Sequence, residues 1–210
     1  MDDLVRQAMA KWPHVPHCFG WLGLDARGDW YMRDDRVQAL GPFLQAKGSR
    51  LRHEKLIDFI QRNYDVDERG QWFFQNGPQR VFVELAYTPM VYGVPDYPQS
   101  NAILTHTRKS VQTVHAAWID DEGTLLLETE HGVGHVHDQD LEWLLPSFVG
   151  ADGGPLDEDS LEARLDGYAA GAVESEDGAL WFQQAATRVK IGVIRARDVP
   201  AHFGFVNKPE

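Results

Sequence analysis

The sequence predicts an α+β protein in which one mainly antiparallel unit, a hairpin followed by a helix and further strands, is duplicated to give two small domains. Three observations predict it. A turn of acidic residues ending in glycine occurs four times between apolar runs, an amphipathic stretch lies between the turns of each pair, and the strands after the two stretches match in order. Similarity in a fixed order within one chain is typical of internal duplication.

The four turns predict four hairpins. In each segment acidic residues precede a glycine, and an apolar or aromatic run follows. An aspartate closes such a turn with its side chain, and glycine accepts the positive φ that the turn requires. The four segments are residues 24–32, 66–74, 119–127 and 174–182.

Amphipathic helices are expected between the paired turns, at residues 53–64 and 157–168. Acidic residues begin the second helix, where the helix dipole favours negative charge. The apolar stripes are Leu56, Phe59 and Ile60 in the first helix and Leu161, Leu165 and Tyr168 in the second.

The strands after these two helices give the best match between the halves. Residues 72–83 and 180–191 each run from an aromatic segment to a glutamine and, after four more residues, to an Arg-Val step. Apolar positions alternate in both, as expected for a strand with one buried face. The match makes Gln75 equivalent to Gln183 and Arg80 equivalent to Arg188.

These elements divide the chain into an N-terminal helix at residues 1–12, a first α+β repeat at 13–100 and a second at 101–210. The helix has an apolar face, ends at Pro13 and has no counterpart in the second half. The junction between the repeats falls near residues 93–101, which are rich in turn formers.

Charge and composition exclude several classes of protein. The formal net charge of −12 opposes binding to phosphate backbones and to anionic membrane surfaces, so neither nucleic acid nor a membrane is an expected partner. The single cysteine, Cys18, cannot form an intramolecular disulfide. The N-terminus lacks the apolar core of a signal peptide, and no apolar run is long enough to cross a bilayer. The expected location is the cytoplasm.

Several short motifs resemble those of uncharacterised proteobacterial proteins of unknown function with a duplicated two-domain core. They are residues 28–30, the helix around 56–60, residues 70–74 and 79–81, and the segment 87–91. The resemblance implies a second domain of pleckstrin-homology-like character, a ligand site between the domains and a signalling role with a nucleotide-like ligand. The histidine-rich segment 131–137 departs from that pattern.

Histidines supply one candidate site. His131, His135 and His137 lie in one short acidic segment, and residues at i and i+2 of a strand point to one side. They could hold a metal with a nearby carboxylate, which gives a metal-dependent hydrolase as an alternative function. A solvated hairpin turn explains the same residues without any metal.

Arginines and aromatic residues supply the other candidate site. Arg80 and Arg188 could clamp a phosphate or carboxylate, or could pair with carboxylates across their sheets. Arg80 is the stronger candidate because the loop at residues 76–79 offers free backbone donors beside it. The full candidate ligand-binding set is Arg80, Arg188, Gln79, Trp30, Trp72 and Tyr87.

The sequence therefore favours a binding protein over an enzyme. It contains no P-loop, no dinucleotide-binding glycine motif, no nucleophile elbow and no zinc-finger spacing, so we expect no cofactor. The expected partner is a small anionic ligand or another protein, bound at the interface of the two repeats. A homodimer, joined through a sheet edge or the N-terminal helix, is a further possibility.

Overall fold

The computed structural model describes residues 2–169 and 178–210. The chain divides into two compact units, the first formed by Met1–Pro89 with Pro200–Glu210 and the second by Met90–Val199. Among the described residues no helix combines the length and the apolar character that crossing a membrane requires.

The first unit has a six-stranded mixed sheet in the order β3-β2-β1-β6-β5-β4. Strands β1 and β6 are parallel at its centre, and the remaining neighbours are antiparallel. Its elements are α1 (Asp3–Lys11), β1 (Cys18–Leu24), β2 (Trp30–Met32), α2 (Asp35–Ala39), β3 (Ser49–Arg50), α3 (Glu54–Arg62), β4 (Tyr64–Val66), β5 (Trp72–Asn76) and β6 (Gln79–Leu85).

The second unit has an eight-stranded mixed sheet in the order β12-β13-β14-β9-β10-β11-β7-β8. Strand β9 is parallel to β14, and β11 is parallel to β7. Its elements are β7 (Met90–Gly93), β8 (Leu104–Thr105), β9 (Val114–Asp120), β10 (Leu125–Thr129), β11 (Gly132–Val136), α4 (Leu141–Leu144), β12 (Phe148–Val149), α5 (Glu158–Ala169), β13 (Trp181–Gln184) and β14 (Thr187–Ile194), and α6 (Val199–Phe203) follows it in the chain.

The α+β class is confirmed, and both sheets are mixed. Each unit contains antiparallel hairpins, but each also contains a parallel pair of strands that are distant in sequence, such as Cys18 opposite Val81. Hairpins follow from local turn chemistry, whereas the pairing of distant strands has no local signal.

Three of the predicted turns are hairpins of one shape. The aspartate that begins each turn accepts hydrogen bonds through Oδ1 from the amides two and four residues later, at 2.8–3.0 Å. The glycine has a φ between 72° and 80° and donates to the carbonyl of that aspartate. These aspartates are Asp25, Asp67 and Asp120. In the fourth predicted turn, residues 174–177 lie outside the described residues.

The core of the first unit is aromatic. Tyr64 lies between two tryptophans, with its ring centroid 5.2 Å from that of Trp30 and 4.8 Å from that of Trp72. On the other face of the sheet, Phe73 and Phe82 meet edge to face at 5.8 Å. Strand alternation places successive aromatic residues on opposite faces, so both faces of this sheet carry apolar contacts.

A buried ion pair lies within the first unit. The Arg33 guanidinium contacts the Glu84 carboxylate, with side chains only 2% and 9% exposed. Arg33 also donates to the carbonyls of Ala46, at 3.0 Å, and Gly41. The charge of Arg33 is therefore satisfied from three directions.

The last residues of the chain pack on the first unit. The amide of Val206 donates to the Gly70 carbonyl at 3.0 Å, and the amide of Leu85 donates to the Asn207 carbonyl at 2.8 Å. The Asn207 side-chain amide donates to the Tyr87 carbonyl at 2.6 Å. These bonds join the β4–β5 turn and the end of β6 to one C-terminal segment.

Candidate functional site

A pocket of about 340 Å³ opens on one face of the β5–β6 hairpin. We call it the Arg80 pocket. Its walls come from α1, from the segment that follows α1 and from the hairpin itself. The lining residues are Met9, Trp12, Pro13, Val15, His17, Gln75, Pro78 and Arg80. A volume of this size is at the lower end of the range for small-molecule sites.

Gln75 has an unsatisfied acceptor in this pocket. The residue is 1% exposed, and its Oε1, which is itself covered, has no hydrogen-bond partner among the described residues. Its Nε2 donates to the Gly77 carbonyl at 2.9 Å, which fixes the orientation of the amide. A buried acceptor without a partner costs about 1–3 kcal/mol. A small shift of the side chain would expose Oε1 to the pocket, and a ligand with an N–H or O–H donor would then remove that cost.

Arg80 lies directly opposite Gln75 in the hairpin, as its Cα partner. The guanidinium stacks on the Phe73 ring, 4.4 Å from the centroid. Within the described part of the chain Arg80 makes no ion pair, although the protein carries 32 acidic residues. A half-buried arginine held by stacking and left without a carboxylate is suited to bind an anion.

The remaining walls are apolar or aromatic. Trp12 is 51% exposed, with the Lys11 ammonium 4.5 Å from its ring centroid. The His17 ring meets Phe82 edge to face at 5.6 Å. A planar ligand could stack on such an exposed indole while its polar groups reach Arg80 and Gln75.

The second unit has a hairpin with the same pairing, but its glutamine and arginine side chains are exposed. Gln183 pairs with Arg188 across β13 and β14, and the Arg188 guanidinium lies 5.0 Å from the centroid of the Trp181 ring. Both Gln183 and Arg188 are exposed here. The local geometry therefore matches that of Gln75 and Arg80, but the burial does not.

The other predicted ligand residues lie elsewhere. Trp30 and Trp72 are 2% and 8% exposed in the aromatic core, and neither lines the Arg80 pocket. The Gln79 amide donates to the Pro16 carbonyl at 3.0 Å and points to the opposite face of the sheet from Arg80. Tyr87 is half-buried beside the C-terminal segment. Of the predicted set, only Arg80 lies in this pocket.

The histidine-rich segment has separate structural contacts. The His131 ring lies 2.9 Å from the Ser110 carbonyl, and His137 accepts from the Gln139 amide at 3.2 Å. His135 is buried in β11 at 4% exposure. Across residues 2–169 and 178–210, no three His, Cys, Asp or Glu side chains are placed to hold a metal ion.

A further histidine, His106, was not singled out by the sequence. Its Nδ1 accepts from the Val91 amide at 3.3 Å. Burial above all, with the positive potential of His135 and Lys109, lowers the pKa of His106 from 6.5 to about 3. Nothing local in the sequence distinguishes it from an exposed histidine, because its environment depends on contacts with a distant strand, such as the bonds with Val91 of β7.

We expect His106 to make the protein acid-sensitive. Between pH 6.5 and 3 the unfolded chain binds a proton that the native state does not, so the free energy of unfolding falls as the pH falls, by at most about 1.4 kcal/mol per pH unit. When the pH falls from 7.5 to 5, the free energy of unfolding of His106→Asn, measured in urea, should fall by about 2 kcal/mol less than that of the wild type. The exposed His115→Asn serves as the control, and equal losses in all three proteins would contradict the expectation.

Comparisons with known proteins give a family and a fold. The DUF2944 family model, described as "Protein of unknown function (DUF2946)", matches residues 1–210. No curated protein matches the chain.

Two solved structures are similar to this chain. A DUF1285 family protein from Silicibacter pomeroyi DSS-3 has a TM-score of 0.50 at 10% identity, covering 90% of this chain and 94% of that one. A DUF1285 family protein from Shewanella baltica OS155 has a TM-score of 0.38 at 16% identity, covering 57% and 85%. At such identities the first likeness concerns the fold alone, and the second carries no structural argument.

Proposed function

We propose that this chain, which belongs to the DUF2944 family of proteins of unknown function, binds a small organic anion in the Arg80 pocket. One observation carries the proposal: a buried acceptor without a partner, Gln75 Oε1, lies beside an arginine without a carboxylate. Neither group has a complementary partner among the described residues.

The two groups together define the ligand. Arg80 requires a carboxylate or phosphate, and Gln75 requires an N–H or O–H donor on the same molecule. The exposed Trp12 ring favours a planar body. A nucleoside monophosphate has all three features, and a 2-hydroxycarboxylate has the first two. Recognition of this kind needs no catalytic group.

Duplication of one α+β unit is part of the proposal. It is supported by the strand order β2-β1-β6-β5-β4 in the first unit and β10-β9-β14-β13-β12 in the second, with the central pair parallel in both. In this view the ligand site arose in the copy that α1 covers. The signalling role and the pleckstrin-homology-like character of the second half stay predictions.

The test is isothermal titration with nucleoside monophosphates, amino acids and 2-hydroxycarboxylates. Arg80→Gln should weaken binding about 10- to 100-fold, since hydrogen bonds to charged groups contribute about 1.5–3 kcal/mol. Arg188→Gln, at the equivalent exposed position of the second unit, should leave the affinity unchanged. Absence of binding by the whole panel, or equal effects of the two substitutions, would contradict the proposal.

Gln75→Leu separates ligand recognition from folding. It removes the unsatisfied acceptor, which is favourable, and the hydrogen bond from Nε2 to the Gly77 carbonyl, which is unfavourable. The free energy of unfolding should therefore change by less than about 1 kcal/mol. The affinity should nevertheless fall about 3- to 10-fold, because a neutral hydrogen bond to the ligand is lost. A clear loss of stability in this variant, with the affinity unchanged, would assign Gln75 a purely structural role.

A further inference from the structure

A second cavity lies on the opposite face of the same sheet. It has a volume of about 310 Å³ and lies between the sheet and α3, so we call it the α3 cavity. Phe59 of α3 meets Phe74 of β5 edge to face at 5.4 Å, which joins the helix to the sheet beside it. The apolar walls include Leu22, Leu56, Phe59, Ile60, Phe74 and Val81.

The α3 cavity contains no charge. None of the residues that line it is Asp, Glu, Lys, Arg or His. Its polar side chains are those of Asn76 and Gln79, which pair across the end of the β5–β6 hairpin, with the Cys18 thiol and the Trp21 indole. An ion would lose its hydration here without gaining a charged partner. An uncharged molecule has no such cost of burial.

Size and exposure also suit a ligand. A cavity of about 150 Å³ accommodates benzene, so this one has about twice that room, enough for a bicyclic ring or a medium-length aliphatic chain. Trp21 and Met32, which line it, are 40% and 46% exposed. Covering such large apolar side chains is favourable at about 25 cal/mol per Å².

We propose that the α3 cavity binds an uncharged, largely apolar small molecule with one hydrogen-bonding end. The apolar body lies between α3 and the sheet, and the polar end meets the Asn76 and Gln79 amides. This site is separate from the Arg80 pocket and does not depend on the function proposed for it. Successive residues Gln79 and Arg80 point into the two sites from one strand.

The lone cysteine, Cys18, can report whether a ligand occupies the α3 cavity. Cys18 lines the cavity and is half-buried, and burial raises the pKa of its thiol. A ligand in the cavity should shield this thiol further. Because the chain has one cysteine, alkylation by iodoacetamide reports on this position alone.

The test compares two fluorescent probes that differ by one charge. N-phenyl-1-naphthylamine should bind at a single site and slow Cys18 alkylation at least 5-fold at saturation. Its sulfonated analogue, 8-anilinonaphthalene-1-sulfonate, should bind at least 10-fold more weakly. Equal affinities for both probes, binding to many sites, or no protection of Cys18 would overturn the proposal.

Substitutions locate the probe. Val81→Phe fills the cavity and should weaken the neutral probe at least 10-fold, whereas Val66→Phe, at a 41% exposed strand position outside the cavity, should not. Met32→Lys, at an exposed position of the rim, tests the same site with little risk to folding and should also weaken the neutral probe. Arg80→Gln should leave it unchanged.

Equal binding by Val81→Phe, Met32→Lys and the wild type would overturn the proposal. So would sedimentation showing a dimer in the wild type that Val81→Phe abolishes, because the cavity would then be covered by a second copy of the chain.

Discussion

Replacing Glu84 with Gln should lower the free energy of unfolding by about 3–5 kcal/mol. The substitution keeps the shape of the side chain but leaves the Arg33 guanidinium, whose side chain is 2% exposed, without its counter-charge. The carbonyls of Ala46 and Gly41 still accept from Arg33, but they carry no net charge. Urea unfolding monitored by tryptophan fluorescence measures the loss.

Two comparisons make the Glu84 result specific. Asp3→Asn removes an ion pair with Arg6 whose side chains are 82% and 64% exposed, and should change stability by less than about 1 kcal/mol. The double variant Arg33→Met with Glu84→Leu should recover most of the loss, because it removes both buried charges. A loss of less than about 1 kcal/mol in Glu84→Gln would show that Arg33 is solvated in solution.

The hairpins could be predicted because their chemistry is local. An aspartate accepts from amides two and four residues later, and a glycine adopts positive φ, all within five residues, as at Asp67 and Gly70. The parallel pairing of β1 with β6 could not be predicted, since the paired residues Cys18 and Val81 are 63 positions apart in the sequence. The Arg33–Glu84 pair is hidden for the same reason.

The sequence predicts the pairing of the residues in the candidate site but not their burial. The match between the two halves singled out Arg80 with Arg188 and Gln75 with Gln183, and in both units these residues do pair across a hairpin. It could not show that Gln75 is buried while Gln183 is exposed. Gln75 shares its pocket with residues of α1 and the segment after it, and the second half has no counterpart of this part of the chain.

The sequence does not separate the buried tryptophans from the exposed ones. An aromatic residue in a strand can pack in a core or present a stacking surface, and the sequence pattern is the same for both. Trp30 and Trp72 pack against Tyr64, whereas Trp12, in a short segment after a helix, is exposed. Only the tertiary contacts separate these two outcomes.

Gly70→Ala should detach the C-terminal segment from the first unit. At Gly70 φ is +72°, and a Cβ would lie 1.9 Å from the carbonyl oxygen of Gly204 and 3.0 Å from Cα of Phe205. Backbone atoms cannot rotate away as a flexible side chain can, so residues 204–207 must move. The bonds from Val206 to Gly70 and from Leu85 to Asn207 would then be lost.

Gly123→Ala is the matched control for this effect. Gly123 occupies the same turn type at φ +80°, but nothing lies within 4 Å of its Cβ position. It should therefore show only the cost of a left-handed alanine, about 1–2 kcal/mol. Gly70→Ala should lose at least twice as much, and amide exchange at Val206 and Leu85 should accelerate in this variant alone. Equal losses in the two variants would mean that the C-terminal segment adds no stability to the first unit, because the clash with Gly204 exists at Gly70 and is absent at Gly123.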